Sequence, residues 1–191
     1  MIYYIIPARK GSKGLPFKNR KLLSYTLSEI PEDVLHNKTY ITTNDEHIIS
    51  KCKENNINFI SRNDFLSGDS VCIRDVMEDC SRKLNLKESD IIVLLYLTYP
   101  QRTWSTVEKA RDFFIREDLS SLLCKKKPKT HPYLCFFESG ENRGVQIVGH
   151  DQYRRQDYPS CFELSFYVCV FKVGELGKLS RNMFNDNTYF F

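Results

Sequence analysis

Six cationic side chains, Arg9, Lys10, Lys13, Lys18, Arg20 and Lys21, fall between positions 9 and 21, and no Asp or Glu precedes Glu29. Like charges packed this closely repel one another, and a bound anion relieves the repulsion. Gly11, Ser12 and Gly14 lie among them. Glycine lets the backbone turn tightly and expose its N–H groups, and Ser12 adds a hydroxyl donor, so the stretch reads as a cradle for polyphosphate. The bland alternative is a basic loop in solvent. The Walker A spacing of glycine, lysine and serine or threonine is absent.

Four more polar clusters bear on chemistry: Asn44 with Asp45, Arg62 to Asp69, Thr98 to Arg102, and Arg154, Arg155, Gln156 and Asp157 ahead of Pro159. Thr98, Pro100 and Arg102 read either as a crevice wall or as a plain strand-to-helix turn. Arg154 and Arg155 read either as bidentate guanidinium donors to phosphate or carboxylate or as an exposed loop. The run Lys125 to Lys129 reads as a solvated strand end and stays outside the site. The histidines at 36, 47, 131 and 150 share no ligand spacing with cysteines or carboxylates, which speaks against zinc, and no Ser/His/Asp arrangement stands out.

These clusters need elements to position them. Residues 2–6 have the β-branched content of a buried strand, and 22–30 an apolar helix ended by Pro31. Strands at 38–43 and 58–61 flank a helix on which Ile48, Ile49 and Cys52 share a face. Ile73, Val76, Met77, Cys80 and Leu84 give the next helix, and the unbroken apolar run 91–97 predicts the central strand. A helix carrying Val107, Ala110 and Phe114 follows a capping-box pattern at Ser105 and Glu108. Alternating strands and helices over residues 2–117 predict an α/β fold, a Rossmann-like doubly wound and mostly parallel sheet. Strand-like stretches at 120–126, 133–138 and 162–172, a hairpin turn at 139–144 and a short helical stretch at 174–179 predict a small antiparallel β extension over about 118–191. The whole of 1–191 is expected to form one domain. In an open parallel sheet, ligands sit at the carboxyl ends of the strands, where four of the clusters fall.

The net charge of +4 is mild and local, which favours a bound anion over duplex DNA. Seven cysteines without a CxxC pair read as reduced core thiols of a cytoplasmic protein. No run approaches a membrane span and no signal-peptide layout is present, so neither nucleic acid nor membrane is an expected partner.

The stretch IPARKGSKGLPFKN (6–19) resembles the signature loop of the sugar-acid cytidylyltransferases, above all the acylneuraminate cytidylyltransferases (CMP-sialic acid synthetases). The likeness continues through ITTNDEHI (41–48), through Arg62, Leu66 and Asp69, through LLYLTYPQR (94–102) against the family's LLQPTSPLR, through His131 and Pro132, and through RRQDYP (154–159) against RRQDLP. The resemblance implies that Arg9, Ser12 and Lys18 hold the phosphates of CTP. Arg9 and Lys18 would act catalytically by neutralising charge, with Lys13 and Asn19 at the nucleotide and Arg62 reading cytosine. Tyr96, Thr98, Arg102, Arg155 and Gln156 would serve the second substrate, a sialic-acid-like (nonulosonic) 2-keto sugar acid. Its anomeric hydroxyl would attack the α-phosphate, with Mg²⁺ sharing the phosphates, in a homodimeric nucleotidyltransferase.

The sequence departs from the family at several points: Tyr96 and Leu97 replace glutamine and proline, Ile73 stands where a cytosine-contacting serine is expected, and ELSFY (163–167) replaces NGAIY. The family's acidic DID element, which supplies metal-binding aspartates, has no counterpart up to NDNTYFF, and the metal ligands stay unassigned. These departures keep two alternatives open: a degenerate or shortened nucleotide-binding member with little catalysis, and a nucleotidyltransferase for another acceptor.

Overall fold

The computed structural model describes residues 1–12 and 14–191; Lys13, counted above with the nucleotide set, lies outside the described residues. The described chain groups into two compact units, one made of Met1–Cys124 with Phe166–Phe191 and the other of Lys125–Ser165.

In chain order the elements are β1 (Ile2–Pro7), α1 (Lys18–Leu27), α2 (Glu32–Lys38), β2 (Thr39–Thr43), α3 (Glu46–Glu54), β3 (Asn58–Ser61), α4 (Ile73–Lys83), β4 (Ile91–Leu94), α5 (Trp104–Arg116), β5 (Ser121–Lys126), β6 (Phe136–Ser139), β7 (Arg143–Gln146), β8 (Glu163–Lys172) and β9 (Tyr189–Phe190). One seven-stranded sheet runs β3-β2-β1-β4-β8-β5-β9, and β6 and β7 form a separate antiparallel pair. β1 pairs in parallel with β2 and β4, and β2 with β3. β8 lies antiparallel beside β4. This is the expected α/β fold, with the run from Ile91 in the middle of the sheet.

Strand alternation sorts the core into two layers. Tyr4, Ile6, Val93 and Leu95 face Leu23 of α1, Ile48 and Cys52 of α3, and Val107, Ala110 and Phe114 of α5. Ile5, Ile92, Leu94, Cys169 and Phe171 face Val76, Met77 and Cys80 of α4, with Leu176, Leu179 and Met183 behind them. Burying a side chain of this size contributes about 1.5–3 kcal/mol, so the two layers are the main stabilising term of this unit.

Several boundaries differ from the sequence reading. α1 begins at Lys18 rather than 22, because the basic stretch supplies its first turn. α2 was not expected: it buries none of its residues and so has no apolar stripe to read, and it starts directly after Pro31. β8, β5 and β9 extend the main sheet beyond β4, with β8 antiparallel to it, so the expected extension is built onto the parallel strands, and only β6 and β7 pair separately. The expected strand at 133–138 divides into a 3₁₀ turn, Pro132–Leu134, and the shorter β6. The hairpin turn lies where expected, with Glu141 and Asn142 in the left-handed region. All seven cysteines are free thiols. Among the described residues no helix is long and apolar enough to cross a membrane.

Candidate active site

The basic loop leaves β1 at Pro7 and is pinned from the end of β2. Thr43 Oγ1 donates to Ala8 O (2.6 Å), Lys10 N–H donates to Asn44 Oδ1 (2.8 Å), and Asn44 Nδ2 donates in turn to Asp64 Oδ1 (2.8 Å). Asn19 Nδ2 closes the loop from within by donating to Arg9 O (2.8 Å). Gly11 takes φ +77°, a left-handed conformation that side-chain-bearing residues avoid. Phe17 also sits in this region, with φ 56°, at the start of α1. Strain of this kind persists where surrounding contacts enforce it, and here it aims the first turn of α1. That turn has no side-chain cap and no acidic residue, which leaves a helix N-terminus suited to an anion.

Arg20, one of the six loop cations, is not offered to a ligand. Its Nε and Nη2 each donate to the Asp45 carboxylate at 2.8 Å. Burial works to raise the Asp45 pKa, but the hydrogen bonds from Arg20 and from His47 N–H outweigh it and hold the carboxyl below its ordinary value. Asp45 also caps α3 through that His47 N–H. Asn44 and Asp45 thus fix the loop from the second strand end.

A cleft of about 260 Å³ opens at the carboxyl ends of β1, β3 and β4. Its polar side carries Arg9, Ser12, Lys18, Asn19, Arg62, Asp69 and Thr98, and its apolar side Leu66, Val71, Ile73, Val76, Tyr96 and Leu97. Seven of the sequence candidates, Arg9, Ser12, Lys18, Asn19, Arg62, Tyr96 and Thr98, therefore share one cavity. Arg9 is held across it: Nη1 donates to Ser67 O (2.8 Å) and Nη2 to Asp69 Oδ1 (2.6 Å). Arg62 is 5% exposed and donates through Nε and Nη2 to Thr42 Oγ1 (3.3 Å) and Thr42 O (3.0 Å). Burial draws its pKa down to about 10, so it remains a cation at neutral pH. The Tyr96 ring packs on Phe166 with centroids 5.4 Å apart, and burial raises its hydroxyl pKa.

Arg102 is a correction to the substrate set. It is 4% exposed and is not among the residues lining the cleft; its Nε donates to Tyr167 O and its Nη2 to Tyr96 O, both at 2.7 Å. It is a strut behind the end of β4. Arg155 and Gln156 are exposed on a 3₁₀ turn of the second unit, where Arg154 pairs with Asp157 (2.8 Å). The sequence reading left out Asp69 as a site residue, although its spacing from Arg62 was visible. It also left out much of the apolar wall: Val76 and Leu97 read as core positions, and Val71 drew no reading.

A magnesium ion, which the resemblance implies, takes near-octahedral oxygen ligands, usually one or two carboxylates with substrate phosphates and water. Among the described residues no three His, Cys, Asp or Glu side chains converge, and the carboxylate lining the cleft, Asp69, is engaged by Arg9. This donor set does not fit an ion caged by the protein.

No model of a known protein family matches the chain. It is 31% identical over 162 residues to an N-acylneuraminate cytidylyltransferase of Streptococcus agalactiae serotype V, and 29% identical to that of serotype III. Those alignments cover 80% of this chain, which spans 39% of the length of these relatives. It is 25% identical to post-translational flagellin modification protein B of Campylobacter coli, over 97% of this chain and 83% of that protein. Two solved structures share the fold. A CMP:2-keto-3-deoxy-manno-octonic acid synthetase complexed with CTP aligns with a TM-score of 0.63 and 15% identity, over 93% of this chain and 76% of that one. A cytidylyltransferase from Leptospira borgpetersenii aligns with a TM-score of 0.57 and 16% identity, over 93% and 62%. Across four-fifths of its length, the chain is similar in sequence to N-acylneuraminate cytidylyltransferases, and it spans about two-fifths of their length.

Proposed function

We propose that the chain carries the nucleotide-binding half of a cytidylyltransferase reaction: transfer of CMP from CTP to the anomeric hydroxyl of a sialic-acid-like 2-keto sugar acid, with release of pyrophosphate. The carrying observation is the single cleft in which Arg9, Ser12, Lys18 and Asn19, beside an uncapped helix N-terminus, face an apolar wall. A triphosphate suits the first side and a flat base the second. Attack by the anomeric oxygen forms its bond to the α-phosphorus while its hydroxyl proton is lost to solvent, and the bond from the α-phosphorus to the bridging oxygen breaks, sending its electron pair to pyrophosphate. Such a reaction needs positioning and charge neutralisation rather than a covalent intermediate. Arg9 and Lys18 supply the fixed positive charge, and Asp69 holds the Arg9 guanidinium at the right height before substrate arrives. Magnesium, when bound, neutralises phosphate charge and would travel with the triphosphate.

The homodimer expected from the resemblance belongs to this proposal. The second unit exposes Phe136 and Phe137 at 66% and 63% on opposite faces of β6, with exposed Val145 opposite Phe137, apolar surface of the kind that marks interaction sites. A cytoplasmic location follows from the use of CTP.

Two residues favour a different nucleotide or acceptor: the Ile73 side chain offers no hydrogen bond to a base, and Tyr96 lines the cleft where the family carries glutamine. Both readings are separated by one panel. Pyrophosphate release is measured with CTP, Mg²⁺ and several 2-keto sugar acids, alongside thermal shifts with all common nucleoside triphosphates. CTP-dependent release supports the proposal. Stabilisation by another triphosphate but not by CTP overturns it, and CTP stabilisation without release with any acid points to a nucleotide-binding member.

A further inference from the structure

Five polar atoms of the first unit are shut off from solvent and have no hydrogen-bond partner among the described residues, and three of them lie close in the fold: Thr26 Oγ1, Arg102 Nη1 and Trp104 Nε1. They come from three different elements, α1, the turn after β4 and the first residue of α5, yet all three side chains line one small space. Its other walls are Glu29, Ile30, Leu95 and Val107, and its volume is about 10 Å³. An unpaired buried donor or acceptor costs about 1–3 kcal/mol, so three residues that each carry one and line the same space favour a polar occupant there. A space of roughly 10–15 Å³ is about the least that holds one water.

We infer that this space is a structural water site, in which a single water bridges α1, α5 and Arg102 behind the wall of the cleft. The water's own four hydrogen bonds can all be made. The indole N–H and the Arg102 Nη1–H fill the two lone pairs of the water; one of its hydrogens goes to Thr26 Oγ1 and the other toward Glu29. A halide would meet the same two donors, but the space is too small for it and the Glu29 side chain lines it. The inference does not depend on the nucleotide reading. It does explain why a buried arginine is used at this position: two nitrogens of Arg102 hold Tyr96 O and Tyr167 O at 2.7 Å, and the third reaches α1 through the water. The helix that begins with Lys18 and the turn that carries Tyr96 are then joined at one hub.

A crystal structure of the full chain at a resolution that shows waters, grown with and without bromide, tests the site. One ordered water within hydrogen-bond reach of all three atoms supports it. Direct pairing of the side chains, a dry void, or anomalous bromide density there overturns it. In solution, Thr26→Val, Trp104→Phe and the double variant form a thermal-melt cycle. A shared water predicts that the double variant loses less than the sum of the single losses, because either change already strips the water of a partner. Strict additivity overturns the bridge.

Discussion

The two units of this chain are stabilised by different physics. In the first, alternating strands bury two apolar layers, and Ile5, Ile6, Val93, Leu94 and Phe171 are each 0% exposed. In the second, Lys125–Ser165, every described residue up to Leu164 is at least partly exposed. Its centre is a group of four rings: Tyr133 stacks on His150 with centroids 4.0 Å apart, and Tyr158 approaches both histidines. Hydrogen bonds fix these rings. His131 accepts Tyr133 N–H at Nδ1 (3.2 Å) and faces Pro159 O through Nε2 (2.9 Å), while His150 accepts Gln152 N–H at Nδ1 (3.2 Å) and faces Tyr133 O through Nε2 (2.9 Å). Both histidines must be the neutral Nε2–H tautomer to satisfy these partners. This unit is organised by polar and ring contacts, with Phe136 and Phe137 exposed.

The sharpest test of that contrast is the cost of truncating each centre. Phe171→Ala is expected to destabilise the protein by about 3–5 kcal/mol, read by chemical denaturation. Tyr133→Ala should leave that transition nearly unchanged and speed amide exchange only in the second unit. Equal effects would break the distinction. Next in size, Arg9→Ala should lower pyrophosphate release about 100-fold, the usual cost of removing one preorganised charge donor, with little change in melting temperature. A loss of fold instead of turnover would mean that the Arg9 contacts to Ser67 and Asp69 are structural. Phe136→Asp combined with Phe137→Asp should weaken self-association about 30-fold, the scale of one strong interface residue, as measured by sedimentation. A variant that associates like the parent would move the interface off the hairpin.

The first unit was also the more legible in the sequence, and for the same reason. Periodicity reports burial, so the faces of α4 and α5 and the central position of Ile91 were readable from Val76, Met77, Val107 and Phe114. α2 was not, because it buries nothing. At the cleft, the rule that ligands sit at strand ends brought Arg9, Ser12, Lys18, Asn19, Arg62 and Thr98 to attention, the family resemblance added Tyr96, and all seven line one cavity. The rule fails at single charges. Arg20 and Arg102 look as available as Arg9 in the sequence, but one is spent on Asp45 and the other on two backbone carbonyls. Whether a cation meets a ligand or a neighbour depends on long-range partners that spacing does not encode.

The smallest predicted effect concerns one of those hidden partners. Asp45→Asn preserves the helix cap, since Asn caps about as well as Asp, and removes only the charge that Arg20 holds. Because Arg20 is 29% exposed, solvent screens the pair, and Tm at neutral pH should fall by only about 2–4 °C. The sign of its pH dependence follows from the depressed Asp45 pKa. Between the folded value and the unfolded one, near 3.9, the unfolded chain binds more protons, so stability rises with pH through that window. The contribution is therefore complete above about pH 4 and lost as pH falls through the lower folded value. Parent and variant melting curves, separate at pH 7, should converge in acid. Asp79, held low by Lys83 and Arg82 against its own burial, is intact in both proteins and cancels in the comparison. A gap that persists unchanged at pH 3 would show that Asp45 pins the loop by shape rather than by charge.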